Sequence, residues 1–452
     1  MAVQTTAITN SFVVTVDPGF RCFSPGSVVF DDRGIRAIGP SGDVVVPAGA
    51  RVIDGRGRLA VLPGLVDVHS HSSLLKGFSE NAQLIDWLPE YQREHQVLTE
   101  ADAYHACLIS YLEALKGGTT TVLDMYRFLP QGARAAEQLG LRVHLVPYAA
   151  DHPTKKFFET LATTEDLLRE CHGAADGRVR CWVGLEHITY CSPEMFRDAL
   201  KMSERYGVPI HTHTSEQQEE VAAVEAIFGQ RPVLQFAQYG ILRPGTVLAH
   251  CVWLDERELD LVAETGTSVA HCPVSNAKLA CGGPLDLTAM RKRGINVGLG
   301  TDGSISNNAL SQWENMKFGS LLQKNASLDA AALPAAEALR MATIDGARVL
   351  GQEREIGSLE VGKQADLITV DLWQPHLMPI AVAEGHEPVL WNLVYAARAS
   401  DVRSVFVAGR EVVAGGRALG VDEDVLLEQV HRQTVDLLVR RSSVRAIPMV
   451  AH

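Results

Sequence analysis

Two histidines stand two residues apart at His69 and His71, within GLVDVHSH, and a second pair, His211 and His213, stands within VPIHTHTSE. Single residues of the same capacity close other short apolar runs: His250 in GTVLAHCVWL, His271 in TSVAHCPVSN and Asp302 in INVGLGTDG. Alternate residues of a strand share a face, so His69 and His71 can turn both imidazoles to one point, as can His211 and His213. Imidazoles and a carboxylate that meet at one point make a site for a divalent transition ion. Three imidazoles and one carboxylate suit Zn2+ or Fe2+, whereas calcium and magnesium want mostly oxygen. With three or four protein ligands and an open position, such an ion brings the pKa of its water to about 7 and makes a nucleophile at neutral pH. A lone histidine is usually a packed or surface residue. Polar side chains closing so many buried strands would lack partners unless a metal centre supplied one.

The elements that must position these residues follow from periodicity and turn signals. From residue 1 to 60, β-like runs (SFVVTVD, SVVFDDRGIRAIG, ARVIDGRGRLAVLPG) are separated by Gly, Pro and Asp. Residues 61–355 alternate short Val/Leu/Ile-rich runs with helical patterns such as EADAYHACLISYLEALKGG and PEMFRDALKMSERYG. Eight strand candidates emerge: GLVDVHSH, TTTVLDMY, LRVHLVPY, VRCWVGLEH, VPIHTHTSE, GTVLAHCVWL, TSVAHCPVSN and INVGLGTDG. Eight βα units predict an α/β fold, a (β/α)8 TIM-like barrel whose active site lies at the C-terminal ends of the strands. That is where His69, His71, His211, His213, His250, His271 and Asp302 fall. After residue 356 the β character returns in ADLITVDL and VRSVFVAGREVVAGG, and residues 356–421 are expected to join residues 1–60 in a small β-sandwich domain. A C-terminal helix and tail, 422–452, complete the chain.

The bulk properties set the surroundings. The 452 residues are 46% hydrophobic and 21% charged, an ordinary soluble composition. A net charge of −13 argues against nucleic acid or an anionic membrane as partner, since both need a basic surface. No apolar run reaches the length of a membrane span, and the opening MAVQTTAITNSFVV lacks the basic and apolar regions of a signal peptide. The eight cysteines are scattered without a Cys-x-x-Cys pair, which predicts reduced thiols and a cytoplasmic setting.

HSH at 69–71, HTHTSE at 211–216, LAHCVWL at 248–254, HCPVSNAKLACG at 271–282 and GLGTDGSISNN at 298–308, in that order, resemble the amidohydrolase superfamily. The chain is most similar to the branch that holds methylthioadenosine/S-adenosylhomocysteine deaminases, guanine deaminase and triazine hydrolases (chlorohydrolases). The resemblance runs over nearly the whole chain, through GGTTTVLDM and GSLEVGKQADLITVDLWQPH. It implies that His69, His71 and His213 bind one divalent ion, Zn2+ with Fe2+ as the alternative, and that Asp302 is its fourth ligand. It also implies that Glu216 shuttles a proton from the attacking water to the leaving nitrogen, and that His250 orients that water beside Asp302. Water needs a general base within hydrogen-bond reach and a departing amine needs an acid; one carboxylate near the ion can be both in turn.

Further positions are candidates for substrate contact. His187, in GLEHITYCSPE, matches a ring-contacting position of the family, and Ser275 and Asn276 follow the seventh strand, where they also suit a turn. Trp87 of DWL either covers the site or packs in the core, the core being the ordinary place for it. Lys278 is taken as a surface charge. In methylthioadenosine-type relatives a glutamate after DWL grips the ribose hydroxyls; here Glu94 is offset by one and His95 takes the aligned place. An arginine after the third strand is replaced by Lys155 and Lys156, which do not offer the same bidentate fork. No lysine stands at the end of strand four to bridge two metals, although Glu186 and His211 could serve a second ion; adjacent Glu186 and His187 should face opposite ways on a regular strand. The expectation is a hydrolase of cyclic amidine carbon–nitrogen bonds that releases ammonia or an amine from a heterocycle, working as a homodimer or larger homo-oligomer. Its alternatives are hydrolysis of a triazine, amide or carbamate with another leaving group, and a non-catalytic scaffold of the same fold.

Overall fold

The computed structural model describes residues 4–381 and 387–447. All eight strand candidates fall on strands, but two are divided. Leu65–His71, Thr119–Tyr126 and Arg142–Pro147 are parallel neighbours, flanked by Asp302–Gly303 on one side and Val179–Cys181 on the other. A second parallel sheet runs Val183–Gly184, Ile210–Thr214, Thr246–His250, Ser268–His271 and Val297–Leu299. Leu65–His71, Thr119–Tyr126 and Arg142–Pro147 are buried at every residue, as strands covered on both faces must be.

The divided candidates lie where the chain passes from one sheet to the other. The Trp182 N–H donates to Leu145 of the first sheet, and the Val183 N–H donates to Pro209, beside the second. Likewise the Gly300 N–H donates to His271, whereas Asp302 and Gly303 pair with Ser70 and His71. A glycine is required at 300 because a Cβ there would stand 2.8 Å from the Cβ of His69. Since the fourth strand ends at Gly184, Glu186 and His187 lie beyond it, and the rule of opposite faces does not apply to them.

Helices fill the intervals between strands and are closed by local chemistry. Thr99 and Asp102 form a capping box for Glu100–Lys116, Asp255 and Glu258 form one for Glu256–Thr265, and Pro193 opens Pro193–Tyr206 after its Ser192 cap. The terminal helix, Glu423–Ser442, is anchored to Glu100–Lys116, with Gln433 and Arg440 both donating to Asp102.

Strands from the two ends of the chain form one nine-stranded sheet. Its order is Arg417–Ala418, Arg410–Ala414, Val402–Val407, Leu367–Asp371, Leu59–Pro63, Thr6–Val14, Cys22–Asp31 and Gly34–Pro40, with Arg51–Asp54 also paired to Thr6–Val14. The sheet has a small core of its own, in which Phe30 meets Phe406 edge to face at 5.0 Å.

This sheet is tied to the parallel strands by a buried ion pair. Arg142, opening Arg142–Pro147, makes a two-pronged contact with Asp366 at 3.0 and 3.2 Å, and Asp366 also accepts from the Ala408 N–H. Both side chains are buried. Asp366→Ala would leave the guanidinium charge uncompensated, so urea unfolding followed by circular dichroism should show a loss of about 3–5 kcal/mol; a loss below about 1 kcal/mol would place the tie elsewhere.

Candidate metal and active site

His69 and His71 leave the end of one strand toward His213, and Asp302 sits beside them because its short strand pairs with Ser70 and His71. The outer nitrogens decide what the inner ones can do. His71 Nδ1 lies 2.5 Å from the Met125 carbonyl and His213 Nδ1 lies 2.7 Å from the Glu186 carbonyl, so both must carry their protons there and donate. His211 Nδ1 donates to the Val247 carbonyl at 3.1 Å, which leaves its Nε2 as the acceptor for His69 Nδ1–H at 2.8 Å. By this relay His69, His71 and His213 each present an unprotonated Nε2 to the same space.

That space fits a cation. His71 Nε2 and His213 Nε2 are 3.1 Å apart with lone pairs on both sides, and His69 Nε2 is buried without a hydrogen-bond partner. Asp302 Oδ1 lies 3.6 Å from His69 Nε2 and 3.5 Å from His71 Nε2. Among the described residues the groupings able to hold an ion are His69–His213–His250, His69–His71–Asp302 and Glu216–His250–Asp302. Neither Glu186 nor His211 belongs to one, since Glu186 is turned to Tyr148 and His211 to His69.

Burial sets the charge states. It pushes the His69 imidazole down to about 3 and holds His211 and His213 well below their ordinary range, which keeps all three neutral, His69 and His213 as candidate ligands and His211 as the acceptor behind His69. Burial alone would raise Asp302, but His69, His250 and His71 around it hold its carboxyl well below the usual carboxylate range. For Glu216 burial prevails, reinforced by Asp302 and Glu220, and lifts its carboxyl well above the usual range.

Glu216 and His250 face each other at the edge of this cluster. His250 Nε2 is 3.6 Å from Glu216 Oε2, while the Asn276 amide donates to His250 Nδ1 at 3.0 Å and to Glu216 Oε1 at 3.3 Å. His250 therefore carries its proton on Nε2, pointed into the site. Ser275 donates to Asp302 Oδ2 at 2.5 Å. Ser275 and Asn276, candidates in the sequence for substrate contact or for a turn, lie in the short helix Pro273–Lys278, with their side chains spent on Asp302, Glu216 and His250. His250 and Asp302 both hold left-handed backbone angles, φ 71° and 60°. Such strain in residues other than glycine collects at functional sites.

Other candidates divide between wall and interior. His187 borders the cavity, with Nδ1 accepting from Thr189 and Nε2 donating to Glu220 at 2.8 Å. Trp87 is at the wall rather than merely in the core, stacked on Tyr91 at 5.1 Å. Glu94 and His95 are behind the lining: Glu94 is within 3.4 Å of Ser73 and Tyr126, and His95 packs on Tyr91 and Tyr148. Lys278 is no idle surface charge, because its ammonium holds Glu80, Asn308 and the Ile305 carbonyl together. Lys155 donates to Gln92 and to the Ile447 carbonyl. Sequence reasoning missed Glu220, which accepts from the backbone N–H groups of Ser215 and Glu216 at 2.8 Å each and so sets the loop carrying Glu216. It also missed Tyr91, Tyr148 and Tyr190, which complete an aromatic wall. The acids clustered in SEQQEE were the available signal for Glu220.

Known proteins are similar to this chain over most of its length. Residues 60–412 match the model of the amidohydrolase family. A 5'-deoxyadenosine deaminase of Methanosarcina mazei is 35% identical over 441 residues, covering 96% of this chain and 99% of the relative. A 5-methylthioadenosine/S-adenosylhomocysteine deaminase of Desulforudis audaxviator is 39% identical over 386 residues, covering 84% and 87%. Among solved structures, an adenosine deaminase of Xanthomonas campestris with bound zinc superposes with a TM-score of 0.89 at 30% identity, covering 96% of this chain and 98% of that one.

The relay from Val247 through His211 to His69 has a measurable consequence. His211→Ala removes the acceptor that fixes the His69 proton, so zinc affinity measured by chelator competition should fall about 10–100-fold; unchanged affinity would refute the tautomer assignment.

Proposed function

The chain belongs to the amidohydrolase family, and from that premise we propose that it is a metal-dependent deaminase of the adenosine type. It would hydrolyse the exocyclic carbon–nitrogen bond of a cyclic amidine and release ammonia. The observation that carries this reading is the meeting of three imidazole Nε2 lone pairs with Asp302, directly beside the Glu216–His250 pair. The two parallel sheets, each continued into the other by a divided strand, are read as one closed (β/α)8 barrel, and residues 1–60 and 356–421 as its β-sandwich companion. No helix among the described residues is long and apolar enough to cross a membrane. Unpaired cysteines throughout support a cytoplasmic setting, and exposed Leu427, Val435 and Val439 on the terminal helix support a homo-oligomer.

His69, His71, His213 and Asp302 would hold one divalent ion, zinc by preference for this donor set. When bound, the ion supplies a Lewis acid that makes water nucleophilic at neutral pH. The residues of the chain manage orientation and protons. His250, its proton on Nε2, would donate to direct the attacking water, with Asn276 fixing its ring. Glu216 would take the proton released as water adds to the amidine carbon and deliver it to the departing nitrogen. Its position permits both roles, because its Oε2 faces His250 while Asn276 and Cys281 hold Oε1. Aromatic side chains lining the cavity would seat a flat heterocycle and exclude water. Glu216 favours a leaving group that needs a proton, so chloride loss from a triazine is the weaker alternative. The complete ligand set argues against a non-catalytic scaffold.

Glu216→Gln should retain its metal, by elemental analysis, while ammonia release from 5'-deoxyadenosine or methylthioadenosine falls about 10²–10⁴-fold. Turnover within a few-fold of the parent protein would exclude the proton-shuttle role. Absence of ammonia release by the parent protein from any adenosine derivative would exclude the deaminase reading.

A further inference from the structure

The cavity beside the centre is bordered by Glu186, Glu216, Glu219, Glu220 and Asp302, and by no lysine or arginine among its described lining residues. Most of these acids already have partners. Glu220 is engaged by His187 and two backbone N–H groups, Asp302 by Ser275, and Glu216 by Asn276 and Cys281. Glu186 differs. Its Oε1 accepts from the Tyr148 hydroxyl at 2.9 Å, but its Oε2 is buried without a hydrogen-bond partner, in a residue only 4% exposed. A buried acceptor without a partner, in a residue that borders the cavity, costs free energy unless a group seated in the cavity satisfies it.

The candidate that the sequence offered for holding substrate hydroxyls does not compete for that task. Glu94 is spent on Ser73 and Tyr126, and His95, in the aligned place, is packed among Tyr91, Tyr148 and Phe157 with no polar partner. Lys155 donates to Gln92 and the Ile447 carbonyl and lies over the outer side of the wall, 5.3 Å from the Tyr190 ring centroid. We propose that Glu186 sets substrate choice, its free Oε2 accepting a hydrogen bond from an N–H or O–H group of a heterocycle seated against Trp87, Tyr91, Tyr148 and Tyr190. The same cavity admits neutral and cationic molecules and turns away anions. An anionic substituent would meet the carboxyls of Glu186, Glu216 and Glu220 and find no lysine or arginine among the described lining residues to pair with. This deepens the deaminase reading and rests on it for the identity of the reacting bond. Among adenosine derivatives it selects those with uncharged 5' substituents over phosphorylated ones.

The test compares the holoenzyme with its Glu186→Gln variant, both checked for metal content and circular dichroism. Gln keeps an acceptor for Tyr148 and presents an N–H group where the free oxygen stood. With 5'-deoxyadenosine the variant should show KM raised about tenfold or more, the size of a charged hydrogen bond, and kcat within about threefold. The unmodified enzyme should turn over adenosine 5'-monophosphate at about a hundredth of the 5'-deoxyadenosine rate or less. An unchanged KM, a loss confined to kcat, or comparable turnover of the monophosphate would overturn the proposal. Binding of 2-aminopurine, followed by its fluorescence, separates this outcome from failure of the deaminase reading. Weaker binding to the variant supports the role of Glu186 even if no ammonia is released, whereas equal binding or none to either protein refutes it.

Discussion

Everything at this centre depends on where three imidazoles keep their protons. The Met125 carbonyl, the Glu186 carbonyl and the His211 ring each claim the Nδ1 proton of one histidine, so the three Nε2 lone pairs must face one another. Two of them stand 3.1 Å apart, an arrangement that no hydrogen bond can satisfy and a cation can. Such an arrangement disfavours a metal-free form, so an ion bound there would couple its binding to folding free energy. The surrounding order serves the same end. Thr301 donates to Asp67, which in turn accepts from the His69 backbone, while Gly300 lets the eighth strand pass close against His69.

One physical condition, burial, is given opposite outcomes a few ångströms apart. It keeps the His69 and His213 imidazoles neutral and would by itself neutralise Asp302 as well, but the histidines on that side hold its carboxyl well below the usual range. Glu216 faces Asp302 and Glu220 without a cationic neighbour, and its carboxyl rises instead. Two carboxyls driven apart in this way can divide the work of ligand and proton carrier. The left-handed backbone at His250 and Asp302 shows a further cost of this crowding, one tolerated because both side chains are fixed by Asn276 and Ser275.

The clustering of the candidate ligands was legible in the sequence because strands have a simple period. His69 and His71, or the histidine that ends Thr246–His250, are placed by alternation and strand ends alone. His211 shows where that rule stops. It shares the face of His213, yet its ring is spent on His69, a choice made by the tertiary position of Val247. The wall was less legible. On the helix Leu84–His95, Trp87 and Tyr91 reach the cavity and Glu94 and His95 do not, and amphipathic spacing cannot say which apolar side of a buried helix meets a cavity. Glu220 was hidden for a different reason: besides His187 its partners are the backbone amides of Ser215 and Glu216, which leave no trace in side-chain types. The division of strands four and eight was equally invisible, since it follows from which neighbour each amide meets.

Centre and wall also differ in what holds them. The ligands stand on parallel strands buried at nearly every residue, whereas Leu84–His95 is fastened largely from the far end of the chain. Arg93 donates to the carbonyls of Arg441 and Val444, Gln96 to that of Arg445, and Lys155, bound to Gln92 of this helix, to that of Ile447. A substitution in this helix or in the C-terminal segment can therefore reshape the surface that meets a substrate without moving a metal ligand. Glu186 sits at the junction, its backbone carbonyl fixing the His213 proton and its side chain bordering the cavity, so the residue proposed to tell substrates apart is also one that keeps the centre in register.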